Sequence, residues 1–182
     1  MYVASVTETE VRLTLETAVE AVNGLTDPAF DLRATLGDAG FSGAEDADEA
    51  ELDQLRSRVG DLAELIRSLP DREQDDAAAA VNAELAALEL TPSIVDHDGV
   101  GPHLHWTPPT ATFDVRVVTD IVMALARELC DNGTIRFGRC AAEGCDRLFY
   151  DGTRNRSRRF CSDPRCASRT HTADHRARRR AG

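Results

Sequence analysis

Apolar residues recur at three- and four-residue spacing over most of the first 130 positions, the period of helices that bury one face. Val11, Leu15, Ala18 and Val22 predict a first helix from about Thr7 to Asn23, ended by Gly24. Asp27 followed by Pro28 combines an N-cap with a first-position proline, which predicts a short helix through Phe30, Leu32 and Leu36. The acidic run from Glu45 to Glu51 predicts the opening of a third helix, with carboxylates near its positive end. It lacks the tight glycine turn that fixes ligands around a hard cation. Leu52, Leu55, Val59, Leu62, Ile66 and Leu69 continue as the plainest amphipathic stretch of the chain, closed by Pro70. That repeat lasts under three heptads, so it favours packing within a bundle over a coiled coil. A fourth helix is predicted from about Asp75 to Leu90, with Val81, Leu85 and Leu88 inward.

The period then changes. Ile94 and Val95, the turn-rich stretch 96–102, and Leu104 with Trp106 predict a small β-hairpin bounded by Pro108 and Pro109. Val118, Ile121, Val122, Leu125 and Leu129 return to helical spacing and predict a fifth helix from about Asp114 to Cys130, ended by Asn132 and Gly133. Cys130 at its end is expected to be a buried structural residue. A chain of 182 residues buries roughly 70% of its unfolded surface and needs no staple for such a body. No apolar stretch approaches the roughly 20 residues of a spanning helix, and MYVASVTETE lacks a secretory pattern, so a cytoplasmic protein without membrane contact is expected.

Charge divides the chain. The net charge is −11, yet residues 139–182 carry 12 Arg against 5 acidic residues, a net of +7, and residues 1–138 carry the remaining −18. This asymmetry points to a basic module for a polyanion attached to an acidic body. All the basic residues are Arg, which excludes chemistry that needs a lysine, such as a Schiff base or a P-loop.

The basic segment also holds Cys140, Cys145, Cys161 and Cys166, two pairs with four residues inside each and fifteen between them. Two short turns that each present two thiolates complete a tetrahedral Zn²⁺ shell and leave no position for water, so such a site is structural. Disulfides, a redox-labile site and an iron–sulfur cluster are the competing readings, and His171 or His175 is an alternative fourth ligand. Residues 134–170 contain few apolar side chains, so metal binding is expected to supply their folding energy, with chelation unfolding the tail and sparing the helical body. Arg154, Arg156, Arg158 and Arg159 lie between the cysteine pairs, and Arg169, Arg176 and Arg180 share one face of a predicted helix over 165–180. Guanidinium groups fork onto phosphates and guanine edges, so these seven arginines are the candidate DNA contacts, weighed against a solvated basic tail.

At these residues the sequence resembles the CGNR zinc-finger family of bacterial transcription regulators. Cys140 to Cys166, with the linking segment FYDGTRNRSRRFC, is similar to the family's run of aspartate, Thr/Ser, Arg-Asn-Arg and Arg-Arg-aromatic-Cys. The helical body with its late hairpin and LHW segment looks like the family's N-terminal domain, called ABATE. The motif that names the family is Cys-Gly-Asn-Arg; here Cys166, Ala167, Ser168 and Arg169 keep only its ends. The resemblance implies a DNA-binding zinc module joined to a domain that senses a ligand or stress.

Together these observations predict a mainly α protein. Residues 1–133 are expected to form a helical, ABATE-like sensor and dimerisation domain with a small β-hairpin. Residues 134–182 are expected to form a small four-cysteine zinc finger with a C-terminal basic helix. The expected function is that of a zinc-dependent transcription regulator, a homodimer on double-stranded DNA that answers a small-molecule effector. A zinc-thiolate redox switch or protein-interaction module is the alternative. A metalloenzyme is less favoured, because only His97, His103 and His105 gather, and His103, His105 and Trp106 fit an effector pocket more easily than a catalytic metal.

Overall fold

A computed structural model describes residues 8–96 and 101–181, with the side chains of 173–178, 180 and 181 outside that description. Six helices and two β-hairpins follow one another as α1 Glu8–Gly24, α2 Leu32–Asp38, α3 Glu49–Ser68, α4 Gln74–Ala86, β1 Ser93–Val95, β2 His103–His105, α5 Phe113–Asn132, β3 Phe137–Arg139, β4 Leu148–Tyr150 and α6 Pro164–Ala181. The mainly helical class, the early hairpin and the basic last helix are as the sequence predicts. Among the described residues no helix is long and apolar enough to cross a membrane.

Helix α5 is the centre of the body and packs against α1, α3 and α4. Its apolar positions Val117, Val118, Ile121, Val122, Leu125 and Leu129 are all buried and form one broad face that meets these neighbours. Against it lie Leu15, Val19 and Val22 of α1 and Leu52, Leu55, Leu62 and Ile66 of α3. Helix α3 begins with a capping box in which Asp48 accepts from the Glu51 N–H and Glu51 accepts from the Asp48 N–H, so two orphan donors are satisfied reciprocally.

Several boundaries differ from the periodicity. The predicted Asp27–Pro28 helix start is a turn instead: Asp27 Oδ1 accepts from Ala29 N at 2.9 Å, and Phe30 folds back onto Gly24, where a Cβ would come within 2.2 Å of its ring. Helix α2 starts later and is capped by Asp31, whose Oδ1 accepts from Ala34 N at 2.9 Å. The chain turns through Gly43 at φ +82° and the turn takes in Glu45 and Asp46, so α3 begins only at Glu49, and α4 ends four residues short of Leu90. Cys130 is exposed rather than buried, because the last turn of α5 directs Glu128 and Leu129 inward.

The two hairpins have different surroundings. Strands β1 and β2 pair antiparallel, with Ser93 opposite His105 and Val95 opposite His103. Strands β3 and β4 also pair antiparallel, Phe137 opposite Tyr150, but Phe137, Leu148 and Tyr150 join the core of the helical body, where β4 packs on α1. The apolar residues that look too few for a separate core thus complete the core of the helices. Beyond them a second, smaller cluster contains Cys140, Ala142, Cys161 and Cys166, flanked by Cys145 and Phe160.

Candidate metal centre

Cys140 directly follows β3, and its N–H donates to Arg147 O at 2.9 Å, closing the first turn. Cys145 N donates to Ala142 O at 3.1 Å, and Gly144 takes φ +71°, a conformation that favours glycine and lets the chain reverse around the thiols. The second pair straddles the start of α6. Asp163 accepts from Cys166 N through its carbonyl at 3.0 Å and from Arg165 N through Oδ1 at 2.9 Å, so Cys166 projects from the first turn of the helix. Its carboxyl is held down to about 2, chiefly by hydrogen bonds from the Arg165 side chain and backbone. The turns are tied together where Ala141 N donates to Arg159 O at 2.8 Å.

The four sulfurs lie within 4.8 Å of one another. Cys161 and Cys166 Sγ are 3.7 Å apart, and Cys145 and Cys161 Sγ 3.9 Å. Four sulfurs about 2.3 Å from one Zn²⁺ stand about 3.8 Å apart along each tetrahedral edge, which these separations match. None of the cysteines is in a disulfide. Burial pushes the Cys161 thiol up to about 12. Burial acts the same way on Cys140, but the N–H groups of Cys161 and Ala142 aimed at its sulfur outweigh it and bring it down to about 7. Donors of that kind stabilise the thiolate that a metal requires.

Residues 136–179 match the CGNR zinc finger family. No curated protein matches the chain. With the family match and the donor geometry in agreement, the cofactor is a single structural zinc held by Cys140, Cys145, Cys161 and Cys166. Bound there, the ion would join the two turns and neutralise part of the thiolate charge. The match covers the basic segment and stops short of the helical body.

The CGNR finger places its arginines unequally, and the cause is Asp151. This buried carboxylate accepts from Thr153 N at 2.9 Å, from Thr153 Oγ1 at 2.5 Å and from Arg158 N at 2.8 Å, wrapping the intervening loop around itself. Burial works to raise its pKa, but these donors outweigh burial and hold it below the ordinary carboxylate value. The loop turns Arg154 and Arg156 outward, with Arg156 in a left-handed conformation at φ +49°. Arg158 turns inward instead. Its Nε donates to Phe160 O at 2.9 Å, its Nη1 reaches Tyr150 O at 3.3 Å, and its guanidinium lies 5.9 Å from the Phe149 ring centroid. Arg159 is exposed beside Phe160, and exposed Arg169 reaches back toward Cys166 Sγ at 3.7 Å. Arg176 and Arg180 lie on the helical backbone of α6, but their side chains fall outside the described residues. His171 is exposed and meets Phe160 edge-on, apart from the four sulfurs, whereas the side chain of His175 lies outside the description.

Composition and spacing carry no sign of the contacts that seat the finger on the body. Asn23 of α1 acts as a strand edge for β4, its Nδ2 donating to Leu148 O at 3.0 Å and its Oδ1 accepting from Leu148 N at 2.9 Å. Arg147 pairs with Glu20 at 2.9 Å, and Arg139 pairs with Asp71 at 2.5 Å. Deepest of all is Glu128, 3% exposed, whose Oε2 accepts from Tyr150 OH at 2.9 Å. Its Oε1 has no hydrogen bond and faces Arg136 Nε at 3.6 Å. Burial raises the Glu128 pKa, and burial together with Glu128 raises that of Tyr150. Arg136 then continues to the loop by donating to Asp151 O at 2.8 Å and Thr153 O at 3.0 Å.

In the first hairpin, His103 and His105 lie on one face with Nε2 atoms 3.1 Å apart, and Trp106 is half-buried beside them. His97 falls outside the described residues.

Proposed function

We propose that this chain is a zinc-dependent, DNA-binding transcription regulator whose helical body senses a ligand or stress. The observation that carries the reading is the Asp151-anchored loop, which holds Arg154 and Arg156 out to solvent beside a metal centre that fixes the start of α6. Arg159 and Arg169 extend the same cationic surface, and the −18 of residues 1–138 directs a polyanion to this end of the molecule. Double-stranded DNA is the partner, with phosphate contacts from these arginines setting affinity. Dimerisation through the body doubles the contacts of a small finger. In this reading the protein works in the cytoplasm as a regulator and not as an enzyme.

The test is selection of genomic fragments by the zinc-loaded protein, followed by binding to the enriched fragment across a salt series. Removing two phosphate contacts in Arg154→Ala/Arg156→Ala lowers the slope of log K against log salt by about 2. Cys161→Ser abolishes specific binding. Binding that is indifferent to sequence and unchanged in the double variant refutes the reading. A redox switch is the second reading, favoured by the Arg169 guanidinium beside Cys166 Sγ; zinc release at modest peroxide with no DNA selectivity would support it.

A further inference from the structure

His103 and His105 stand two residues apart on β2, so the strand's alternation puts both rings on one face of the hairpin. Their Nε2 atoms are 3.1 Å apart, with ring planes inclined at 54°. Gly101 O lies 2.8 Å from His103 Nδ1 and accepts from it, so the proton sits on Nδ1 and neutral His103 presents a lone pair at Nε2. A carbonyl on the far nitrogen is the usual way of orienting a metal-binding imidazole. Two nitrogens each about 2.1 Å from one ion and 3.1 Å apart subtend about 95°, between the octahedral and tetrahedral angles. Both residues are half-buried.

We propose that the β1–β2 hairpin is a second metal site, in which His103 and His105 bind one divalent transition-metal ion through Nε2. The ion takes the place of the hydrogen shared between the two nitrogens, and His105 carries its proton on Nδ1 instead. Two neutral imidazoles select ions of the Ni²⁺, Cu²⁺ and Zn²⁺ class and offer little to Mg²⁺ or Ca²⁺, which require oxygen donors. The site is separate in sequence and donor type from the four-cysteine centre, and it does not depend on the chain binding DNA.

The experiment is titration of the untagged, zinc-loaded full chain with Ni²⁺, following heat and zinc content together. The expected result is one equivalent of Ni²⁺ bound with the resident zinc retained, at least tenfold weaker binding in His103→Ala and in His105→Ala, and no change in His171→Ala. No Ni²⁺ bound beyond the zinc, or wild-type affinity in both hairpin variants, overturns the proposal. Independently of any variant, Ni²⁺ is expected to protect His103 and His105 of the wild-type chain from acylation by diethylpyrocarbonate, read by peptide mass spectrometry. Modification of both residues at the same rate with and without Ni²⁺ also overturns it.

Discussion

Replacing Tyr150 with Phe removes one oxygen and tests whether the finger hairpin belongs to the core of the helical body. The ring keeps its place, with Phe137 at 5.3 Å between centroids, so little apolar burial changes. What disappears is the donor to Glu128 Oε2. Glu128 is 3% exposed, with Arg136 Nε at 3.6 Å from its other oxygen and the Asn132 side chain as a further donor, so the Tyr150 hydroxyl is the donor that Oε2 loses. A hydrogen bond to a charged group contributes about 1.5–3 kcal/mol, and the upper part of that range applies when the orphaned acceptor stays buried. For a chain of this size about 2–3 kcal/mol corresponds to a fall in Tm of roughly 4–12 °C. The assay is thermal unfolding of the zinc-loaded protein, followed by far-UV circular dichroism, which reports mainly the body helices. Because Tyr150 belongs to the same buried cluster as Leu15, Leu55 and Ile121, the helical transition itself should move. A helical transition unmoved by Tyr150→Phe refutes the reasoning, since it would mean that the hairpin and the body unfold independently.

Two further outcomes follow from the same core. Asp120 is raised to about 6, first by burial and further by Glu10, against the lowering effect of Arg116. A carboxyl raised in the folded state contributes stability that is full below its unfolded value and is lost as pH rises through the folded one. Stability from this group therefore falls between about pH 4 and 6, and Asp120→Asn should flatten that slope and stabilise the protein at pH 7 by up to about 3 kcal/mol, measured by urea unfolding at several pH values. Chelation of zinc should raise amide exchange in residues 140–147 and 151–166 and in α6, while α1, α3, α5 and the strand residues Phe137, Leu148 and Tyr150 stay protected; hydrogen-exchange mass spectrometry reads both at once.

The helices, the first hairpin and the four-cysteine set were legible in the sequence because each depends on residues close in the chain. Helical spacing makes one face apolar whatever lies opposite, and two cysteine pairs at that spacing can meet around one ion. Helix starts were less legible, since Asp27 and Asp31 are both good caps and the choice between them follows from Phe30 docking on Gly24. Tertiary structure alone decided what the second hairpin packs on. The bonds joining Asn23 to Leu148, Glu20 to Arg147 and Glu128 to Tyr150 link residues far apart in sequence or in separate elements, and no periodicity announces them. The same holds for the arginines. Arg154, Arg156 and Arg158 look alike as sequence, but a buried Asp151 that accepts from three donors, the Arg158 N–H among them, turns the last of them inward and leaves the first two to solvent. Residue type and spacing determined which side chains were available, and the need to partner buried carboxylates such as Asp151 decided which of them turned inward.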